Sequence, residues 1–255
     1  MDWYVQHQPT DRKTRYTARL AQSDNYGIAC GLTSTLQETD RASTLQDADY
    51  ALVGEDSRQV LKDRRYCGDM DRTALIDLVM GHLPVAANDQ VIVDQERSEK
   101  YARKSRLFAD ETEAVLARKG SIKGRKPHIH VIGAMAGTHA ALIRRGFKVT
   151  AADMSPDVVG QNLGGVMVSG AMDNRKLIEA ADLTIITGMT FPNGTLPGLV
   201  EIAKTSNTST MIWAVTGRNL GHYYVEQGID CVISDPAPFL QLPGPASIAV
   251  WRREL

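Results

Sequence analysis

PHIHVIGAMAGTHAALIRRGFKVTAADMSP, residues 127–156, is the stretch that decides the fold class. His128 to Ile132 is a short apolar run between a proline and a glycine, the pattern of a buried strand. Gly133-Ala-Met-Ala-Gly137 follows as a glycine-bracketed turn. Ala140, Ala141, Leu142 and Ile143 then lead into Arg144-Arg145, and Gly146 stands where a left-handed residue ends a helix. Phe147 to Ala152 is a second apolar strand, closed by Asp153. The order is β-α-β, with Gly133 and Asp153 spaced as a dinucleotide fold spaces its turn and its ribose-binding carboxylate.

Beyond Asp153 the alternation continues. Helices are expected over 174–181, 196–204 and 219–227, and strands over 183–187, 210–215 and 229–233. Ser247 to Arg252 alternates as a strand closing an edge. The expected architecture over 127–255 is α/β: a Rossmann-like, mostly parallel sheet with helices on both faces.

On the other side of the stretch, Gln95 to Lys119 lacks Pro and Gly and reads as one amphipathic helix. Tyr101, Leu107, Phe108, Val115 and Leu116 would form its buried side. With the GSIKGRK segment it makes a connecting region, 95–126. Residues 1–94 read as a small α+β leader domain. It has a half-buried strand at 26–36 (Ile28, Cys30 and Leu32 on one face), a short run at 50–53 to pair with it, a polar helix at 55–64, and a helix over 71–82 capped by Asp71.

The composition is that of an ordinary soluble protein: 255 residues, 43% hydrophobic, 23% charged, net charge -1. No pull toward nucleic acid or anionic membrane follows. Without an apolar leader or a run near the ~20 residues of a spanning helix, the expected location is the cytoplasm. Three scattered cysteines, with no CxxC pair, read as free thiols. The six histidines include no HExxH pair and no Cys/His cluster.

In an open parallel sheet, ligands bind beyond the carboxyl ends of the strands. That geometry selects Gly133, Ala134 and Met135 after the first strand and Asp153 after the second. It then selects Thr187-Gly188-Met189-Thr190 and Asn193-Gly194-Thr195 after the third, Thr216 after the fourth and Asp235 after the fifth. Met135 occupies the second glycine position of G-x-G-x-x-G, where a side chain crowds a pyrophosphate. The glycines therefore serve a nicotinamide cofactor, an adenosylmethionine-like ligand, or tight strand–helix packing alone. TGMTFPNGT, residues 187–195, is the sharper signal. Asn193-Gly194 favours a positive φ, and Thr195 would cap a helix whose free N–H groups suit an anion. The same pattern also describes a capped turn with no ligand. His128 and His130 fall on one strand, away from this end, while His139 and His222 fall in the first turns of their helices.

At this point the chain resembles a known family. ADLTIITGMTFPNGTLPGLVEIAK, residues 181–204, resembles the "putative heavy-metal chelation" family, a Rossmann-like domain of unknown function with a T-G-[ST]-x-x-x-N-G-T turn. The matching positions are Thr187, Gly188, Thr190, Asn193, Gly194 and Thr195, with Met189 intervening. YGIACGLTSTL (26–36) and the helix from Asp71 resemble the companion leader, which implies an enolase-N-terminal-like fold for 1–94. The resemblance implies a binding protein for a small anion or metal chelate in an interdomain cleft. The residues equally admit an enzyme, methyltransferase-like or oxidoreductase-like, using adenosylmethionine or NAD(P), or a non-catalytic subunit. A homodimer is compatible with such folds.

Overall fold

Three strands open the chain: β1 (Asp2–His7), β2 (Arg15–Gln22) and β3 (Tyr26–Thr33). They form an antiparallel sheet in that order. The computed structural model describes residues 2–7, 15–22, 26–33, 69–81, 86–93, 97–120, 125–235 and 245–254. The strand expected from Ile28, Cys30 and Leu32 is β3, and it pairs with β2, Leu20 opposite Ile28 and Ala18 opposite Cys30. The strand and helix expected at 50–53 and 55–64 lie outside the described residues. Helix α1 (Asp69–Met80) packs on β2 and β3 and buries Ala74 and Leu78. It begins two residues before Asp71, so that residue is in the first turn rather than at the cap.

The chain divides into two units. One is Met1–Val85 with Gly188–Gly194 and Val215–Leu220; the other is Ala86–Thr187, Thr195–Ala214 and Gly221–Leu255. β4 (Asp89–Val93) pairs with the C-terminal strand of the large sheet, and the long helix α2 (Arg97–Arg118) packs on that sheet's helices.

The second unit is built on nine strands. After β4 come β5 (His128–Ile132), β6 (Lys148–Asp153), β7 (Asn162–Leu163) and β8 (Val166–Gly170). β9 (Leu183–Thr187), β10 (Ser209–Ala214), β11 (Cys231–Ser234) and β12 (Ala246–Arg252) complete it. Their order is β4-β12-β11-β10-β9-β5-β6-β8-β7, parallel from β11 through β8. Counted along the chain from β5, the parallel strands run 3-2-1-4-5-6, the order of dinucleotide-binding sheets. α3 (Ala136–Arg144) connects β5 to β6, α5 (Leu196–Thr205) β9 to β10, and α6 (Gly221–Glu226) β10 to β11. α2 packs on α3, and α4 (Asn174–Glu179) on α5.

Two features depart from expectation. β12 is not an edge strand: it lies between β11 and β4, antiparallel to both. The connection from β6 to β8 carries no helix. It turns through the short hairpin β7–β8, whose glycines Gly164 and Gly165 take φ of +62° and +89°.

Burial explains the apolar runs. Every residue of β5 is buried, as are the first four of β9, because helices cover both faces of a parallel sheet. On α2, Phe108, Val115 and Leu116 are fully buried, and Phe108 meets Trp213 edge to face at 6.3 Å. Arg252 fastens this helix to β12, donating to Glu111 from Nε at 2.8 Å and from Nη2 at 2.6 Å.

Two buried residues of β5 are histidines. Burial lowers the pKa of His128 and pushes that of His130 down to about 4. An unfolded chain binds the His130 proton near 6.5, whereas the folded chain binds it only near 4. The contribution to stability is thus complete above pH 6.5 and is lost as pH falls toward 4, a loss of up to about 3 kcal/mol. Urea unfolding at pH 7.5 and 4.5 should show this loss, and His130→Gln should flatten it. Equal pH slopes in the two proteins would contradict the assignment.

Candidate functional site

The direction of strand addition reverses between β5 and β9, and the crevice beyond their carboxyl ends is where such a sheet binds ligands. Gly133 leaves β5 with φ +112° and donates its N–H to the Ala152 carbonyl at 2.9 Å. A Cβ at this position would lie 3.2 Å from the Cβ of Thr187 at the end of β9. Glycine is needed here twice over, for its torsion and for the close approach of the two strand ends.

Asp153 braces the turn. Its Oδ2 accepts the Ala134 N–H and its Oδ1 the Ser155 N–H, each at 2.8 Å. A carboxylate offers about four acceptor positions, so these two bonds leave capacity for a ligand hydroxyl. The Ser155 hydroxyl beside it is buried and has no partner among the described residues.

Met135 does not crowd the turn as its position in the glycine pattern suggests. It holds the cap position of α3 with φ -110° and ψ 72°, and its side chain is buried in the hydrophobic core. Gly137 serves packing: a Cβ there would lie 2.8 Å from the Ser105 hydroxyl of α2. His139, in the first turn of α3, donates from Nδ1 to the Leu163 carbonyl at 2.9 Å, and burial lowers its pKa, which keeps it neutral. The β7–β8 hairpin thus lies along that turn, with Gly164 so close that a Cβ would fall 2.0 Å from the Ala136 carbonyl oxygen. His222 is committed elsewhere, to Glu226 at 3.0 Å.

After β9, Gly188–Thr190 forms a 3-10 turn with Gly188 and Thr190 buried and Met189 half-buried. The Gly194 N–H donates to the Phe191 carbonyl at 3.1 Å, and Gly194 carries the positive φ, +73°, expected of Asn193-Gly194. Asn193 is exposed. Thr195 takes the cap position of α5, as expected, yet its hydroxyl makes no capping bond.

Gly188–Gly194 and Val215–Leu220, the latter including buried Thr216, group with the first unit rather than with the sheet they leave. Within that unit the Asn219 N–H donates to Asp77 Oδ1 at 2.7 Å, and Asn219 Nδ2 to the Asp77 carbonyl at 3.0 Å.

Asp235 is placed at the carboxyl end of β11 but is taken by a partner from far along the chain. Lys104 donates to its Oδ2 at 2.6 Å, and the Trp213 indole N–H to the same oxygen at 3.2 Å. The ammonium also lies 4.8 Å and 4.7 Å from the centroids of Tyr101 and Trp213. With Asp235 only 1% exposed, this is a buried ion pair lined by two aromatic rings. Lys104 belongs to the basic half of α2, where Lys100 is also buried; sequence spacing alone gives no sign of either.

Among the described residues, no three His, Cys, Asp or Glu side chains converge on a common point. Cys231 is fully buried, and burial together with the Glu111 carboxylate pushes its thiol pKa up, away from the metal-binding thiolate. The described side chains therefore offer no donor set for a bare heavy-metal ion.

Residues 122–213 match the profile of the DUF364 family, described as "Putative heavy-metal chelation". The solved DUF364 protein of Desulfitobacterium hafniense DCB-2, of unknown function, is 13% identical. It superposes with a TM-score of 0.53 over 92% of this chain and 87% of that one, and so has the same fold. The DUF364 protein of Pyrococcus horikoshii, also of unknown function, is 12% identical, with a TM-score of 0.46 over 86% of this chain and 76% of that one. No protein of curated function matches in sequence. No described helix is long and apolar enough to cross a membrane.

The contact between strand ends makes a prediction. Gly133→Ala should destabilise the fold by about 2–3 kcal/mol, through left-handed strain and the clash at Thr187. Gly146→Ala, at φ +89° with open space around it, should cost only the strain, about 1 kcal/mol. Urea midpoints of the two variants check the ranking, and a smaller loss at Gly133 would refute it.

Proposed function

We propose that this protein binds a small anionic ligand at the carboxyl ends of its parallel strands, and that any metal reaches it as an anionic chelate. The carrying observation is the reversal between β5 and β9, with the Gly133 turn, Asp153 and Thr187 at the strand ends. Asn193, the Gly194 backbone and Thr195 would contact the anion at the start of α5, the positive end of the helix dipole. Asp153 would accept from a ligand hydroxyl. The family description supports the chelate. The lack of a converging donor set among the described residues supports a ligand that brings its own chelating groups.

A second reading, an enzyme using adenosylmethionine or NAD(P), draws on the 3-2-1-4-5-6 strand order and on Asp153 at the end of β6. The glycine pattern lacks its second glycine, but Met135 turns into the core and leaves the turn uncrowded.

Thermal-shift measurements separate the two. Inorganic phosphate, citrate and nickel citrate form one set of probes; adenosylmethionine, NAD and NADP form the other. A ligand at about 100 times its Kd adds about 2.7 kcal/mol of stability, a readable shift. Stabilisation is expected from the first set and should vanish in the Asn193→Ala/Thr195→Ala double variant, while the ligand-free urea midpoint stays within about 0.5 kcal/mol of the parent. A shift that survives the double substitution, or one produced only by the second set, would reject the anion site.

A further inference from the structure

The buried histidines of β5 form one hydrogen-bonded chain that ends at the first residue of α4. His128 Nδ1 lies 2.9 Å from the Ala180 carbonyl oxygen, and its Nε2 lies 2.9 Å from the Thr150 hydroxyl. The same hydroxyl lies 3.1 Å from His130 Nδ1, and His130 Nε2 lies 3.1 Å from Asn174 Oδ1. These four contacts require four protons between them. A carbonyl only accepts, so His128 Nδ1 must carry a proton and, in the neutral ring, Nε2 must accept. Thr150 donates its one proton there and can then only accept from His130 Nδ1–H. His130 Nε2 is left as a lone pair facing Asn174. Two neutral imidazoles and one hydroxyl supply three protons, one short of the four needed when Asn174 presents oxygen.

With His128 kept neutral by burial, beside Lys148 and Arg125, the count closes in two ways. Either the Asn174 amide turns its NH2 toward a neutral His130, or the oxygen stays and His130 Nε2 takes a proton from solvent. We propose that these are the two states of an acid-sensing latch: proton uptake at His130 and rotation of the Asn174 side-chain amide are a single event that joins β5 to α4. Oδ1 faces the ring in the protonated state and the amide NH2 faces it in the neutral one. No other bond in the chain need reverse.

The surroundings set the direction of the bias. Thr184 of β9 lies in register with His130 and brings no charge, and its buried hydroxyl has no partner among the described residues. Around the outer His128, Lys148 and Arg125 oppose a positive charge while Asp182 favours one. Asp182 is itself held by two bonds from the Arg125 guanidinium and by the His128 N–H. On α4, Asp173 and Arg175 flank Asn174 but are exposed, and Arg175 faces Glu179 at 3.6 Å. Desolvation is thus the main force holding the inner ring neutral, and Asn174 and Thr150 are the side chains hydrogen-bonded to it among the described residues.

Ring-15N and side-chain amide spectra of the full-length protein, followed from pH 7.5 to 4, test the latch. At pH 7.5 His130 should be the neutral Nδ1–H tautomer, and the Asn174 amide resonances should move with the same midpoint as its ring nitrogens. Asn174→Asp, which can only accept while ionised, should raise the His130 midpoint by at least one pH unit, a tenfold gain in proton affinity. An Nε2–H tautomer at pH 7.5, separate midpoints for ring and amide, or an unmoved midpoint in the variant would each overturn the proposal. The wild-type comparison decides the matter even if the variant does not fold.

Discussion

β5 is buried at all five residues and hydrogen-bonded to a parallel neighbour on each side, β6 and β9. A strand so enclosed must be apolar or must satisfy its polar side chains within the protein, since an unpartnered buried group costs about 1–3 kcal/mol. That single constraint reaches most of the second unit. It makes Ile129, Val131 and Ile132 the centre of the core, and it obliges His128 and His130 to find Thr150, Ala180 and Asn174. The end of β5 stands at the reversal of the sheet, where a Cβ on Gly133 would press against Thr187 at 3.2 Å. Packing of the strand and position of the candidate site are thus two consequences of one arrangement.

The carboxyl-end loops divide the labour unevenly. The turn after β5 and the carboxylate after β6 are locked to each other through Ala134 and Asp153, so that wall of the site is preformed. The loops after β9 and β10 belong to the unit of β1–β3 and α1, where Asp77 holds Asn219 by backbone and side chain. Asp235 contributes differently from the role its strand-end position suggests. With Lys104 and Trp213 it fixes α2 over the ends of β10 and β11, a structural task for a buried pair.

Much of the fold was legible in the sequence because local pattern and final burial agree. The runs 128–132 and 183–187 became β5 and β9 with no change of boundary, and the helices from Leu196 and Asn174 begin where their patterns begin. What stayed hidden depends on partners distant in sequence. β1 and β2 lie in a stretch without a clear alternation and form by pairing, β1 with β2 and β2 with β3; β8, with buried Val166 and Val168 around exposed Met167, went unread as well. β12 reads as an edge until β4, over 150 residues earlier in the chain, pairs with its outer side. At the site, the positive φ of Gly194 and the cap position of Thr195 were readable from turn chemistry. The inward course of Met135 was not, since glycine-pattern spacing does not say which way a side chain turns. Nor was the capture of Asp235 by Lys104, which sits 131 residues away.

The central claim is that the strand ends around Gly133, Asp153 and Thr187 hold a small anion or anionic chelate. Native mass spectrometry of freshly purified full-length protein, with elemental analysis of the same sample, addresses it most directly. The account predicts a retained small acidic mass, with or without a stoichiometric metal, that dissociates on gentle activation. A retained mass equal to adenosylmethionine or a nicotinamide dinucleotide would contradict it, as would a metal bound to the bare chain with no accompanying organic or inorganic anion.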